Sequence, residues 1–555
     1  MNIFLNFFLR IAIIVVAVSL LASCGSKPSD DNPTSTLPAV DTMYMASVVE
    51  EIASDEYQGR RPFTEGETKT VSYLVNQVKT LGLAPGNGDS YTQEVPLVEI
   101  ESSANKEIAV KGFGTTIDLG LIKDYVAQCP RTQEYVSIAN AELVFCGYGI
   151  VAPEYNWNDY EGVNMEGKIA VVMVNDPGYA TGDSTFFKGK TMTYYGRWTY
   201  KFEEAARQGA AGVLVIHETG AAGYPWFVVQ RSGTGKRLYL QTPNGNTDRC
   251  AMQGWLSLDA AARLIKASSN TAGQQILRKA SEPGFKAIPM GLKTSMAITN
   301  KIRRNTSQNV VAMRAGSKHP DEYIIYTAHW DHLGIGAVVD GDSIYNGAMD
   351  NASGTACVLS LAKAFSEMTV APTRSVVFLF VTAEEQGLLG AAYYASNPIF
   401  PLNQTVANLN MDGMNINGPM NDVTVYGYGQ SELEDLLKVE AAVQGRYVQA
   451  EQEPEKGLYF RSDHFCFAKV GVPALNAKGG YDHKTRGKEY AQARRDDYTA
   501  NHYHRPSDEY SRETWNFQGM QQDAELYLGL GYRLAQSNAW PAWRDGSEFK
   551  KARNR

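Results

Sequence analysis

The sequence predicts an α/β protein with a mostly parallel, mixed sheet flanked by helices and a smaller β-rich lobe. Three observations predict it. From Gln308 onward, continuous apolar runs alternate with helix-like stretches, the pattern of strands buried on both faces. Between 130 and 295, apolar runs surround a helix rich in small residues. The 555 residues, 44% apolar and 20% charged, are a globular composition with room for several domains at ~150 residues each.

The elements follow in order. Residues 1–23 read as a signal peptide: Arg10, an uninterrupted apolar run from Ile11 to Val18, then Leu21-Ala22-Ser23-Cys24. That run is short for a transmembrane helix, which needs ~20 apolar residues. The LASC string resembles a bacterial lipobox, which implies cleavage before Cys24 and a lipid anchor on it. Gly25 after the cysteine resembles outer-membrane sorting, so the expected location is the bacterial envelope, exported and lipid-anchored. Residues 24–40, rich in Ser, Asp, Pro and Thr, read as a tether. Residues 41–129 form an N-terminal flank, with helices near Met45–Ile52 and Val71–Leu81 and short strands over 92–128. The lobe, 130–295, contains AELVFCGYGI, GKIAVVMVND, KFEEAARQGAAG and GVLVIHE. The main domain, 296–540, has strand signals at YIIYTAH, SVVFLFVTAEE, TVANLNMD and VGVPALNA, with helices at 353–365 and 432–443. A tail, 541–555, closes the chain.

Lys+Arg is 52 and Asp+Glu 60, a net charge of −8. That balance argues against nucleic acid as partner. Six cysteines without a CxxC pair exclude a cysteine zinc site or a thioredoxin-type motif. One bridge among Cys129, Cys146 and Cys250 is compatible with these numbers. Cys357 and Cys466, flanked by apolar residues, read as buried thiols. Seven of the eight histidines lie at or after position 319, and histidine is the commonest metal ligand.

In open α/β sheets, ligands bind beyond the carboxyl ends of strands. After YIIYTA comes His329-Trp330-Asp331-His332. After a turn, and before a helix, comes Asp350. After SVVFLFVTA comes Glu384-Glu385, and after TVANLNM comes Asp412. A last ligand stands in NHYHRPSDEY, at His502 or His504. Two histidines, two terminal carboxylates and one shared carboxylate suit two zinc ions about 4 Å apart, with a free carboxylate as general base.

HWDHLG, NGAMDNASG, TAEE, NMD, SDH and YHRPSDE, in this order, resemble the two-zinc aminopeptidase family of bacterial leucine aminopeptidases and their relatives. Glutamate carboxypeptidases and glutaminyl cyclases are among those relatives. The resemblance spans Gln308 to Leu534, and the inserted lobe resembles a protease-associated domain. It implies that His329 and Asp412 hold one zinc, Glu385 and His504 the other, and Asp350 bridges them. It implies that Asp331 orients His329 through its carboxylate and that Glu384 is the general base. Tyr459, three residues before Ser462, would donate to the developing oxyanion. His332 and His464 read as structural neighbours, and His217, His319 and His483 as non-catalytic. The aromatic run Tyr194 to Trp198 either reaches the site's mouth or packs the lobe.

The expected function is an exported zinc exopeptidase, an aminopeptidase acting on peptides. The alternatives are a carboxypeptidase or dipeptidase, a glutaminyl cyclase, or a metal-free binding protein on the same scaffold. The lobe is expected to cover the cleft and limit substrate size.

Overall fold

The computed structural model describes residues 37–233, 235–268 and 277–553. The signal peptide, Cys24 and most of the tether lie outside the described residues. Among the described residues, no helix is long and apolar enough to cross a membrane.

Four parallel strands form the centre of the main sheet: Arg374–Val381, His319–His329, Thr405–Asn410 and Ala474–Lys478, in that spatial order. Their sequences explain their place. RSVVFLFV is buried at all eight positions and rich in β-branched and aromatic residues, as a strand covered on both faces requires. One cover is the helix Ser353–Glu367, most of which is buried. It packs beside Thr42–Ile52 and Phe517–Gln536. Both of those helices are N-capped: Asp41 accepts from the amides of Met43 and Tyr44, and Asn516 from Gln518. Because the four strands run the same way, their carboxyl ends lie along one edge of the sheet.

The strand Ile288–Arg314 joins the two parts of the molecule. At 27 residues it is about 90 Å long for a rise of about 3.3 Å per residue. Its first half pairs with Tyr135–Phe145, its middle with Thr92–Ala104, and its end with Arg374–Val381. Side chains alternate between buried and exposed along its first half, the period-2 pattern of a strand with one covered face. In the lobe, Gly212–Ile216 lies parallel between Ile169–Met173 and Met252–Leu256, and the helix Trp198–Arg207 packs on Gly212–Ile216. Tyr125–Gln128 pairs antiparallel with Met252–Leu256. The five described cysteines are all buried free thiols, and the bridge compatible with composition is not formed.

Arg60 ties the N-terminal flank to the main sheet. It is fully buried. Its Nε donates to the Trp330 carbonyl at 2.8 Å, Nη1 to Ile52 at 2.7 Å and Asn346 at 2.6 Å, and Nη2 to Gly347 at 2.9 Å. Burial pushes its pKa down to about 10, while Asp331, Asp508, Asp350 and Glu385 pull the other way. Arg60→Met leaves four buried carbonyls without this donor, each costing about 1–3 kcal/mol. We expect a loss of at least about 3 kcal/mol in urea unfolding, read from the midpoint at constant slope. A loss under about 1 kcal/mol would contradict this role.

Candidate metal centre

Four turns at the carboxyl edge of the sheet deliver the cluster. His329 is the last residue of its strand, with its ring buried. Its Nε2 lies 3.3 Å from Asp350 Oδ1, 3.4 Å from Asp412 Oδ1 and 3.9 Å from Glu384 Oε2. The other oxygen of Asp350, Oδ2, lies 3.2 Å from His504 Nε2. His504 Nε2 is also 3.1 Å from Glu385 Oε2. The two oxygens of Asp350 thus face two different histidines.

Each ligand type is held by local structure. Asp350 sits in the turn that opens the helix Ser353–Glu367. Its amide and that of Met349 donate to Asp508, at 3.1 and 3.0 Å. Asp412 follows its strand, and its carbonyl accepts from Lys478 Nζ at 2.7 Å; the Gly413 carbonyl accepts from the same amine. His504 adopts a positive φ of 57°, and Tyr503 stacks on its ring at 3.9 Å.

Six carboxylates meet here: Asp331, Asp350, Glu384, Glu385, Asp412 and Asp463. Burial, then neighbouring acids, pushes Glu384 well above the carboxylate range, against the pull of His329. Asp463 is raised well above its usual value by burial, and both its oxygens lack a hydrogen-bond partner among the described residues. Asp331 is pushed up to about 7, by burial first. Burial alone would lower His329, but Glu384, Asp350 and Asp412 outweigh it and hold the imidazole well above its usual value. So many buried anions around neutral-type ligands are costly unless cations join them. The donor set, imidazole nitrogen with carboxylate oxygen, is that of zinc. His329, Asp350 and Asp412 form one group whose donor atoms lie within 4.8 Å of one another; His332, Asp350 and Glu385 form a second. The residues present therefore fit divalent metal.

Two placements differ from the sequence expectation. His329 Nδ1 lies 3.1 Å from the backbone carbonyl of Asp331 and 3.8 Å from its carboxylate. The Asp331 carboxylate instead accepts the Glu384 amide at 2.9 Å. It therefore fixes the turn that carries Glu384 and Glu385, and the carbonyl orients the ring. Tyr459 is not placed as an oxyanion donor. It lies in an apolar cluster with Phe460, Phe465 and Phe549, and its ring meets His464 edge-on at 4.7 Å. Its hydroxyl is buried without a hydrogen-bond partner among the described residues. Burial raises its pKa first, and the acids that add to this are Glu548 and Glu434, not those of the cluster. Packing of its apolar ring has drawn it into the core.

Other histidines sort by contact. His332 Nδ1 lies 2.6 Å from Glu385 Oε1, closer to the donor set than a structural neighbour needs to be. His464 is buried and held neutral, its pKa pushed down to about 3 by that burial. His502 faces Ser507 at 3.1 Å, outside the cluster. His217 and His483 bind the carbonyls of Tyr224 and Asn417. In the run 194–198, Tyr194 packs against Phe465 at 5.2 Å, and Arg197 rests over the ring of its neighbour Trp198 at 5.4 Å. Sequence reasoning missed Arg60, Lys478, Asp463 and Asp508. Two of them carried a signal, Asp463 as the acid of SDH and Asp508 within YHRPSDE.

The segment that carries the cluster is similar to known proteins. Residues 309–528 match the model of Peptidase family M28. That segment contains every residue of the cluster. Aminopeptidase NAALADL1 of Mus musculus is 32% identical over 138 residues, covering 23% of this chain and 17% of its own. A probable zinc metalloprotease of Leptosphaeria maculans is 26% identical over 235 residues, 42% of this chain and 47% of its own. The chain thus spans less than half the length of these curated relatives. An aminopeptidase from Aneurinibacillus sp. strain AM-1 overlays at a TM-score of 0.49 and 18% identity, covering 92% of this chain and 97% of that one.

Metal should stabilise the fold measurably. Zinc added to chelated full-length protein at about 100 times its Kd is expected to stabilise it by about 2.7 kcal/mol, seen as a rise in Tm. Asp350→Ala should remove most of that rise. An equal rise in the variant would show that the metal binds elsewhere.

Proposed function

We propose that this chain is a two-zinc exopeptidase that releases N-terminal residues from peptides. The observation that carries this is Asp350, whose two oxygens face His329 and His504, with Glu384 free beside them. His329 and Asp412 would hold one ion, Glu385 and His504 the other, and Asp350 both. His332 stands next to the second group. Zinc bound there supplies a Lewis acid and lowers the pKa of water.

The chain's own groups do the rest. Glu384 lies 3.9 Å from His329 Nε2 with its backbone locked by Asp331. Burial and the neighbouring acids raise its pKa above the usual carboxylate range, the direction that makes a carboxylate a stronger base. It takes a proton from the attacking water and delivers it to the nitrogen of the leaving amine. Lys478 holds the Asp412 turn, and Asp508 holds the Asp350 turn. The string Leu21 to Cys24 supports placing this activity in the cell envelope, on a lipid anchor; metabolic labelling with palmitate, lost in Cys24→Ala, would check it.

Glu384→Gln is expected to lower kcat on aminoacyl anilides by about 10²–10⁴-fold, with zinc content unchanged by metal analysis. Retention of near-full activity would sink the assignment. Mass spectrometry of one digested peptide should show residues leaving from the N-terminus; loss from the C-terminus would favour a carboxypeptidase.

A further inference from the structure

His332 reaches the metal cluster without a place in the ligand set. Its side chain is completely buried, whereas that of His504 is 35% exposed. Its Nδ1 stands 2.6 Å from Glu385 Oε1, and neither atom has a better-aligned hydrogen-bond partner among the described residues. The other oxygen of Glu385, Oε2, faces His504 Nε2 at 3.1 Å. The two oxygens of Glu385 thus serve two different imidazoles.

Distances decide which imidazole shares an ion with Glu385. Two ligands of one tetrahedral zinc ion, each about 2.0–2.1 Å from it, stand roughly 3.3–3.4 Å apart. His504 lies 3.2 Å from Asp350 and 3.1 Å from Glu385, and His329 lies 3.3 Å from Asp350 and 3.4 Å from Asp412. These separations are close to the edge of such a tetrahedron. The 2.6 Å contact of His332 is too short for two ligands of one ion. It has the length of a strong hydrogen bond to a carboxylate, about 2.7 Å.

The backbone fixes the ring in that place. His332 follows the strand His319–His329, and its ring rests on Gly347. A Cβ at Gly347 would come within 2.3 Å of His332 Cγ and 2.5 Å of Cδ2. Gly347 itself has a φ of 57°, and its carbonyl accepts from Arg60 at 2.9 Å. A ring seated on this anchored glycine keeps Nδ1 on Oε1. A carboxylate with one oxygen so occupied offers a single oxygen to a metal, and a catalytic zinc needs a coordination position left open.

We infer that His332 is a positioning residue for the second zinc: its Nδ1–H donates to Glu385 Oε1, so that Glu385 binds through Oε2 alone and a coordination position stays open. This rests on the two-zinc function proposed above and adds to it a residue that touches neither ion nor substrate.

Full-length protein is freed of metal with a chelator, and zinc is titrated back against a chromophoric competitor. H332A, H332N and H332Q are compared with the wild type. The asparagine amide places an N–H near the Nδ1 position, the glutamine amide near Nε2. Affinity for the weaker zinc should fall about 10–100-fold in H332A and H332Q, and stay within about threefold of wild type in H332N. The visible absorption of cobalt-substituted protein, which reports coordination geometry, should change in H332A and stay as in the wild type in H332N. Wild-type affinity in H332A would overturn the positioning role. So would an H332N no better than H332A, the result for a ring that ligates or only fills space, or an H332Q equal to H332N. If H332A does not fold, the comparison of H332N with H332Q decides alone. Zinc-loaded wild type that hydrolyses no peptide would overturn the peptidase and leave the positioning role. A wild type that holds no zinc would overturn the metal centre on which both stand.

Discussion

The structure depends on one electrostatic constraint: buried carboxylates are gathered at the carboxyl edge of a parallel sheet, with Asp350 shared between His329 and His504. No single strand could hold so many acids against their repulsion. The fold spreads the load by giving each turn its own anchor. Asp508 takes the amides before and at Asp350, Asp331 the amide of Glu384, and Lys478 the carbonyl of Asp412. Arg60, reaching from the N-terminal flank, fixes the backbone around Trp330 and Gly347. These anchors are bought with stability elsewhere, chiefly in the apolar strands and the helix Ser353–Glu367, all of which are fully or mostly buried.

That division explains what the sequence made legible. The four central strands announce themselves because burial on both faces demands unbroken apolar runs, and the ligand types follow each run in order. His329, Glu384, Glu385 and Asp412 could be named from the ends of these runs, Asp350 from the turn before a helix, and His504 rather than His502 only from the resemblance of YHRPSDE; the structure brings their side chains together. The anchors could not be named. Arg60 lies 270 residues from Trp330 in the chain, and a single arginine in a polar stretch carries no pattern. His332 sits three residues from His329, a spacing that in a strand end fixes no side. Tyr459 shows the opposite error. A spacing borrowed from relatives pointed it at the site, but an apolar ring among Phe460, Phe465 and Phe549 is better buried in the core than exposed at a polar mouth.

The lobe is the part of the fold that the main sheet does not explain. Its sheet is continuous with the main one through the strand Ile288–Arg314, so it is not a loosely tethered addition. It touches the main domain again near the site. The Met192 amide donates to the Pro454 carbonyl at 3.1 Å, Lys188 pairs with Glu548 at 2.8 Å, and Tyr194 packs on Phe465. These contacts lie within one short stretch of the lobe, residues 188–194. Two points of attachment, one along a shared strand and one through residues 188–194, hold the lobe against the main domain. A lobe held only at one end could rotate about it, whereas a second contact removes that freedom. The double attachment makes the lobe a fixed part of the same compact unit as the main sheet rather than a hinged addition.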